Sequence, residues 1–223
     1  MKKIFGVMVL LVVLSISVFA DGFIIQGQYG IGGAVTDING KDFTSNFTDY
    51  YDFSHNLGLK AGYGPFGKVP LYAVFNFSLI GYRVYDDYKH IHYNSYMAGP
   101  GVLFYPHPLV QLGFSIGPSY IFNSTVITET SELIAKDDGV GVAIDGSVAV
   151  DIGHFLRSTR AKNFGLSIGI DVFSTFSTLK YSGFTLKYSG YTLKESGYKE
   201  ISTSFTLYMA LAYRHPPKSL FSK

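Results

Sequence analysis

A period of two runs through nearly the whole chain. Apolar and small polar residues alternate along about eight segments separated by turn-like stretches, the pattern of β-strands with two unlike faces. In the first, Phe23, Ile25, Tyr29, Ile31 and Val35 share one face, and Gln26, Gln28, Gly30 and Gly32 share the other. Leu57, Leu59, Ala61 and Tyr63 oppose Asn56, Gly58, Lys60 and Gly62 in the second. Further along, Val142, Ile144, Val148 and Val150 oppose Asp145, Ser147 and Asp151, while Phe164 to Val172 alternate with Gly165, Ser167, Gly169 and Asp171.

Alternation alone suits a soluble barrel as well as a membrane one, and charge placement separates them. A soluble barrel turns its Lys and Glu outward. Here the apolar face carries no charge in any strand core, and only Arg83 intrudes, near one rim. A lipid-facing Lys or Arg at mid-depth costs ~2–4 kcal/mol, so a bilayer would impose this segregation. Strands of about ten residues also match a hydrocarbon core crossed at a tilt. Composition agrees: charged residues are 15% of the chain, against 18 Tyr, 19 Phe and 25 Gly. Beyond the first residues no stretch is long and apolar enough for a membrane helix, which leaves closure into a barrel as the way to satisfy every backbone group in lipid. The expected fold is all-β, an up-and-down antiparallel transmembrane β-barrel of about eight strands.

The first twenty residues read as a cleaved signal peptide. Lys2 and Lys3 precede an apolar run from Ile4 to about Val18, and Val18 and Ala20 set small residues before Asp21. The barrel then spans residues 21–214 and a short tail residues 215–223. Without Lys2 and Lys3 the basic residues balance the 16 acidic ones, so nothing electrostatic favours nucleic acid. The chain has no cysteine, which excludes a lipoprotein anchor, disulfides and thiolate chemistry. Short connections near Gly64–Val69 and Tyr105–Pro108, and a longer basic one at Gly153–Asn163, read as periplasmic. Longer polar ones at Thr36–Asp52, Val84–His92, Asn123–Gly139 and Ser177–Lys199 read as external. Pro100 and Pro118 fall inside strands and are expected to form local bulges.

Gly99-Pro100-Gly101-Val102-Leu103-Phe104-Tyr105-Pro106 resembles a strand of small outer-membrane barrels of the OmpX, opacity-protein and OmpW type, and the chain is similar to OmpW-like barrels of spirochaetes. The strand pattern covers the mature chain, but the specific part of the resemblance is these few residues. Tyr213 stands where such barrels end on an aromatic read by the assembly machinery, yet Arg214–Lys223 follows it, Thr206–Tyr213 lacks the usual glycine, and there is no Trp. The resemblance implies passage of small, mainly apolar molecules if OmpW-like, and surface binding if OmpX- or opacity-like.

Three constellations stand out. Lys60, Asp145 and Asp171 point inward, where two carboxylates could share a proton, hold a cation or pair with the lysine; they could equally form a salt-bridged plug in a narrow lumen. Inward glycines could leave that lumen open or make room for Tyr72, Tyr82, Met97 and Tyr208. His90 and His92, beside Asp86 and Asp87, have a spacing compatible with a transition metal, but no further ligand cluster accompanies them. Finally, Leu179–Thr185, Leu186–Thr192 and Leu193–Lys199 are tandem heptads. Their Ser-Gly steps and β-forming aromatics exclude a coiled coil, leaving either a bulged strand or an exposed hairpin. Their functional reading is a basic, Tyr-rich contact surface of Lys180, Tyr181, Lys187, Tyr188, Tyr191, Lys194 and Tyr198; the alternative is a tolerated loop expansion.

The leading functional reading is a narrow porin-like conduit for small or apolar solutes. The alternative is a surface-exposed adhesin or binding protein presenting its outer loops. A lipid-modifying enzyme has less to rest on, because Ser54-His55 has no adjacent acid and His55 falls on the lipid-facing side. No enzyme activity or cofactor is expected. The expected partners are outer-membrane lipid, the barrel-assembly machinery, and either small apolar solutes or host surface molecules.

Overall fold

The computed structural model describes residues 22–38, 41–42, 50–51, 54–66, 69–86, 89–127, 133–152, 163–183, 187–188, 191–192 and 198–215. The expected signal peptide, the basic residues Arg157, Arg160 and Lys162, and the tail after His215 lie outside the described residues. Eight strands form the wall: β1 (Phe23–Ile38), β2 (Ser54–Tyr63), β3 (Leu71–Asp86), β4 (Lys89–His107), β5 (Val110–Ile127), β6 (Leu133–Asp151), β7 (Phe164–Gly183) and β8 (Tyr198–Arg214). Each pairs antiparallel with the next, and β8 returns to β1 from Ile24↔Arg214 to Ile38↔Glu200, so the sheet closes on itself. Two-residue strands at Lys41–Asp42 and Tyr50–Tyr51 pair with β1 and β3.

The register fixes the girth. A row starting at Ile24 passes through Gly62, Val74, Gly101, Ser115, Asp145, Phe173 and Ser204 and returns to β1 at Ala34, a stagger of ten residues. For eight strands this sets a tilt of roughly 40° and a backbone radius of roughly 8 Å. So narrow a cylinder is largely filled by its inward side chains.

The two faces follow the alternation. Ile25, Tyr29, Leu57, Phe75, Phe114, Val148, Ile170 and Leu207 are exposed on the outside, while Gln26, Asn56, Asn76, Ser115, Asp145 and Asp171 are buried within. Near the end that holds the short turns, Tyr213 lies between Phe23 and Phe164, with ring centroids 5.8 and 5.3 Å away. Tyr96 and Tyr120, paired with each other, are exposed higher on the outer wall, so tyrosines take the interfacial positions in a chain without Trp. Backbone bonds knit the lower rim: Gly64 N–H donates to Gly22 (3.0 Å), Tyr105 N–H to Pro70 (2.9 Å), Asp151 N–H to Leu109 (2.8 Å) and Arg214 N–H to Asn163 (2.7 Å).

Two expectations need correction. The external connections are shorter than their polarity suggests. Most of Val84–His92 is paired, with Asp86 opposite Lys89 and Arg83 opposite His92. The pairing of β6 with β7 continues to Ala135↔Gly183, so the first heptad starts inside a barrel strand. Above the membrane both faces of a strand meet water, so alternation fades there while the ladder persists. The heptads are neither one bulged strand nor wholly outside the wall: Tyr198 pairs with Leu179, and Lys187–Tyr188 pairs with Tyr191–Thr192 as a separate hairpin.

The prolines, in turn, make no bulge. The β4–β5 register is the same at Met97↔Ser119 and Gly101↔Ser115, but no pairing is formed between these points. Pro100 and Pro118 both fall in that gap, each lacking the N–H that would have bridged the same seam. Their other neighbours, Phe75 on β3 and Val142 on β6, keep their pairing. The register shifts instead between Phe104 and His107, beside the lower turn, and between Thr125 and Val126.

Candidate functional site: the cross-bonded lumen and the outer rim

The three inward charges lie together near mid-height. Lys60 on β2 reaches across the barrel to Asp145 on β6, with Nζ 3.5 Å from Oδ2 and the two side chains 1% and 0% exposed. Asn76 on β3 donates its amide to the same Asp145 oxygen, and Ser78 Oγ–H lies 3.4 Å from it. Asp171 on β7 accepts from the Asn56 amide and faces Asp145 and Lys60 electrostatically. Asp171 pairs in register with Ser147 and Asp145 with Phe173, so the carboxylates sit two residues apart on neighbouring strands. Carboxylates this close, taken out of water, need either a cation or a shared proton. Lys60 supplies the cation and the asparagines supply donors.

Bonds cross the lumen at other heights too. Below, Gln111 Nε2–H donates to Gln26 Oε1 across the barrel at 2.7 Å. At the lower mouth Arg214 pairs with Asp151 and lies over the Tyr105 ring, 5.0 Å from its centroid, and Tyr72 meets Tyr105 edge-on. Above the charges, Ser54 and Ser204 are 2.7 Å apart. Higher still, Tyr82 bonds Thr36 and Ser202 (2.8 Å to the latter) and stacks on Tyr93 at 4.7 Å. Asn123 Nδ2–H donates to the buried Glu200 at 3.1 Å. The inward glycines make room for this filling: a Cβ on Gly113 would stand 3.6 Å from Lys60 Nζ, and one on Gly30 would stand 3.0 Å from Tyr208 Cβ.

The sequence reading missed several of these partners. Arg214, the last residue of the expected barrel, had no inward role assigned to it, although it follows the outward Tyr213 and so has inward parity. Thr36 opened a stretch taken for a loop and Glu200 lay just past another, but they too share the parity of inward neighbours Ala34 and Ser202. That parity was the available signal.

Among the other predicted residues, His92 sits opposite Arg83 and His90 opposite Tyr85 in a hairpin. Among the described residues no three His, Cys, Asp or Glu side chains gather as for a metal ion. Ser54 and His55 point to opposite faces: Ser54 is buried, while exposed His55 bonds the Tyr29 hydroxyl through Nδ1 at 2.8 Å. They cannot act as a dyad. The backbone is described at Lys180, Tyr181, Lys187, Tyr188, Tyr191 and Tyr198 but not their side chains, and Lys194 lies outside the described residues.

A closed barrel with a polar, bonded interior and a wall whose described mid-height side chains are apolar defines an integral outer-membrane β-barrel protein. No protein-family model and no curated protein matches the sequence. Among solved structures, the chain is similar to Ail, the attachment invasion locus protein of Yersinia pestis, at 12% identity and a TM-score of 0.45, covering 87% of this chain and 97% of that one. It is similar to Neisserial surface protein A at 11% and 0.45, covering 86% and 96%. It is also similar to the outer membrane protein OprG of Pseudomonas aeruginosa at 12% and 0.41, covering 88% and 96%.

Proposed function

We propose that this barrel is a surface-presenting protein whose wall holds an external contact surface, the tandem heptads foremost, against an anionic partner. The observation that carries this reading is the height of the wall. Crossing the hydrocarbon takes ~9–11 residues, while β4, β6 and β7 have 19, 19 and 20. The surplus lies on the side opposite the short turns, and β7 runs directly into the repeats. Residues 179–199 contain Lys180, Lys187, Lys194 and Lys199 against the single acid Glu195, which suits a polyanion such as a sulfated polysaccharide. The cross-bonded lumen beneath gives a porin-like conduit less support, since flow would require several buried bonds to break together.

Proteoliposomes carrying the full chain are expected to bind immobilised heparin, and to do so less as salt rises. Deleting residues 184–197, which removes Lys187 and Lys194, is expected to reduce binding several-fold. Equal binding by the deletion variant would remove the repeats from the proposal.

A further inference from the structure

Lys60 can neutralise only one of the two carboxylates beside it. Among the described residues, Lys60, Asp145 and Asp171 are the only charged side chains facing the lumen between the Arg214–Asp151 pair at the lower mouth and Glu200 above. One positive and two negative groups leave a formal surplus of one negative charge. With ~3.3 Å per residue along strands tilted by roughly 40°, the three stand roughly 10–20 Å above the Phe23–Tyr213 rim. That is the middle of a hydrocarbon core ~30 Å thick, where an uncompensated charge is most costly.

Hydrogen bonds are unevenly shared in this layer. Asp145 Oδ2 takes the Lys60 ammonium, the Asn76 amide and Ser78 Oγ–H, and Asp171 Oδ2 takes the Asn56 amide. The other oxygen of each carboxylate, Oδ1, accepts no hydrogen bond, and neither do Asn56 Oδ1 and Gln28 Oε1. All four residues are buried, Gln28 the most exposed of them at 3%. They form one group, since Asn56 bonds Asp171 while Gln28 and Asp145 both face it. A Cβ on Gly58 would stand 2.6 Å from Gln28 Cγ, so the glycine lets that side chain lie against β2 beside Asn56.

Four acceptors without a donor, together with one surplus negative charge, define what would satisfy the layer. A proton balances the charge but meets at most two facing oxygens. A transition metal favours imidazole or thiolate, and the described lumen residues include neither. A divalent ion would reverse the charge beside Lys60. A hard monovalent cation takes carboxylate and amide oxygens together and leaves the layer neutral.

We propose that Asp145, Asp171, Asn56 and Gln28 bind one sodium-sized monovalent cation at mid-height, occluded within the lumen. Tyr82 stacked on Tyr93 stands above it, and Arg214 lies over Tyr105 below. Either way out requires buried contacts to break, so the ion is held as a structural part of the folded barrel.

The test is retention of label by the full-length protein, refolded into detergent micelles in ²²Na-labelled sodium chloride and passed by gel filtration into choline chloride. The wild-type barrel is expected to carry one labelled sodium ion per chain through the column. Asp171→Asn leaves the Lys60–Asp145 pair neutral without an ion, and is expected to retain about tenfold less. Gln28→Leu keeps every charge and removes one neutral oxygen, and is expected to release the label several-fold faster. His107→Gln, at the lower rim, should retain it as the wild type does. Refolding in ⁸⁶Rb-labelled rubidium chloride, whose ion is larger, is expected to leave less label bound. Heat-dependent gel mobility certifies that each variant is folded. A wild-type barrel that folds without retaining sodium would overturn the site and leave a shared proton to balance the carboxylates. Retention by Asp171→Asn and Gln28→Leu equal to that of the wild type would overturn it as well, since the ion would then lie elsewhere.

Discussion

At the scale of single residues, the inside of this barrel is a set of obligations. Lys60 and Asp145 are each almost fully buried, and removing one strands the other in a dry interior. Lys60→Met is therefore expected to destabilise the barrel by about 3 kcal/mol or more. The double variant Lys60→Met, Asp145→Asn, which removes both charges, should cost clearly less. Denaturant titration in micelles measures both, and equal losses would mean that the charges do not depend on each other. The residues that carry this network were legible from parity alone, because Lys60, Asp145 and Asp171 interrupt otherwise small, neutral faces. Their partners were not. Sequence gives the face on which Asn56 and Asn76 lie, but which carboxylate each meets depends on the ten-residue stagger, which appears only once the strands are registered.

Among the elements, β4 and β5 make the unusual pair. Both carry a Gly-Pro step, and both missing donors fall on the seam they share. Backbone amides there should open before their neighbours. In hydrogen–deuterium exchange on the folded protein, Ala98 and Ile116 are expected to exchange about tenfold faster than Val102 and Phe114, which face the same seam where pairing is intact. Uniform protection would show that the gap is bridged some other way. The prolines themselves were visible in the sequence, but whether each removed a bond separately or both removed bonds from one seam could not be read without the register. Strand ends were misjudged for a related reason. Hydrophobic alternation reports contact with lipid, and β3 to β8 continue beyond it.

For the molecule as a whole, closure and filling make opposite demands on experiment. A closed sheet in detergent should resist mild denaturation, so unheated protein is expected to migrate differently from boiled protein in gels. A filled lumen should conduct little. Liposome flux of small apolar solutes is expected to be negligible for the wild-type chain and to stay so when Lys60, Asp145 and Asp171 are replaced together. Sustained flux that responds to those replacements would restore the conduit reading. The barrel was the most legible property of all, since eight charge-free faces admit few other folds. The external surface was the least, because exposed repeats satisfy water in many conformations.

The pairing of β8 with β1 also bears on how such a protein comes to exist. From Ile24 to Ile38, the partners of one edge of β1 lie in the last strand of the sequence. Until that strand arrives, a row of amides and carbonyls has nothing to bond in a solvent that offers no water, at several kcal/mol for each group left bare. Partial insertion is thus no resting place. Assembly in the membrane must be nearly all-or-none, and a chain that stalls before Tyr198 should be found outside the bilayer, not halfway into it.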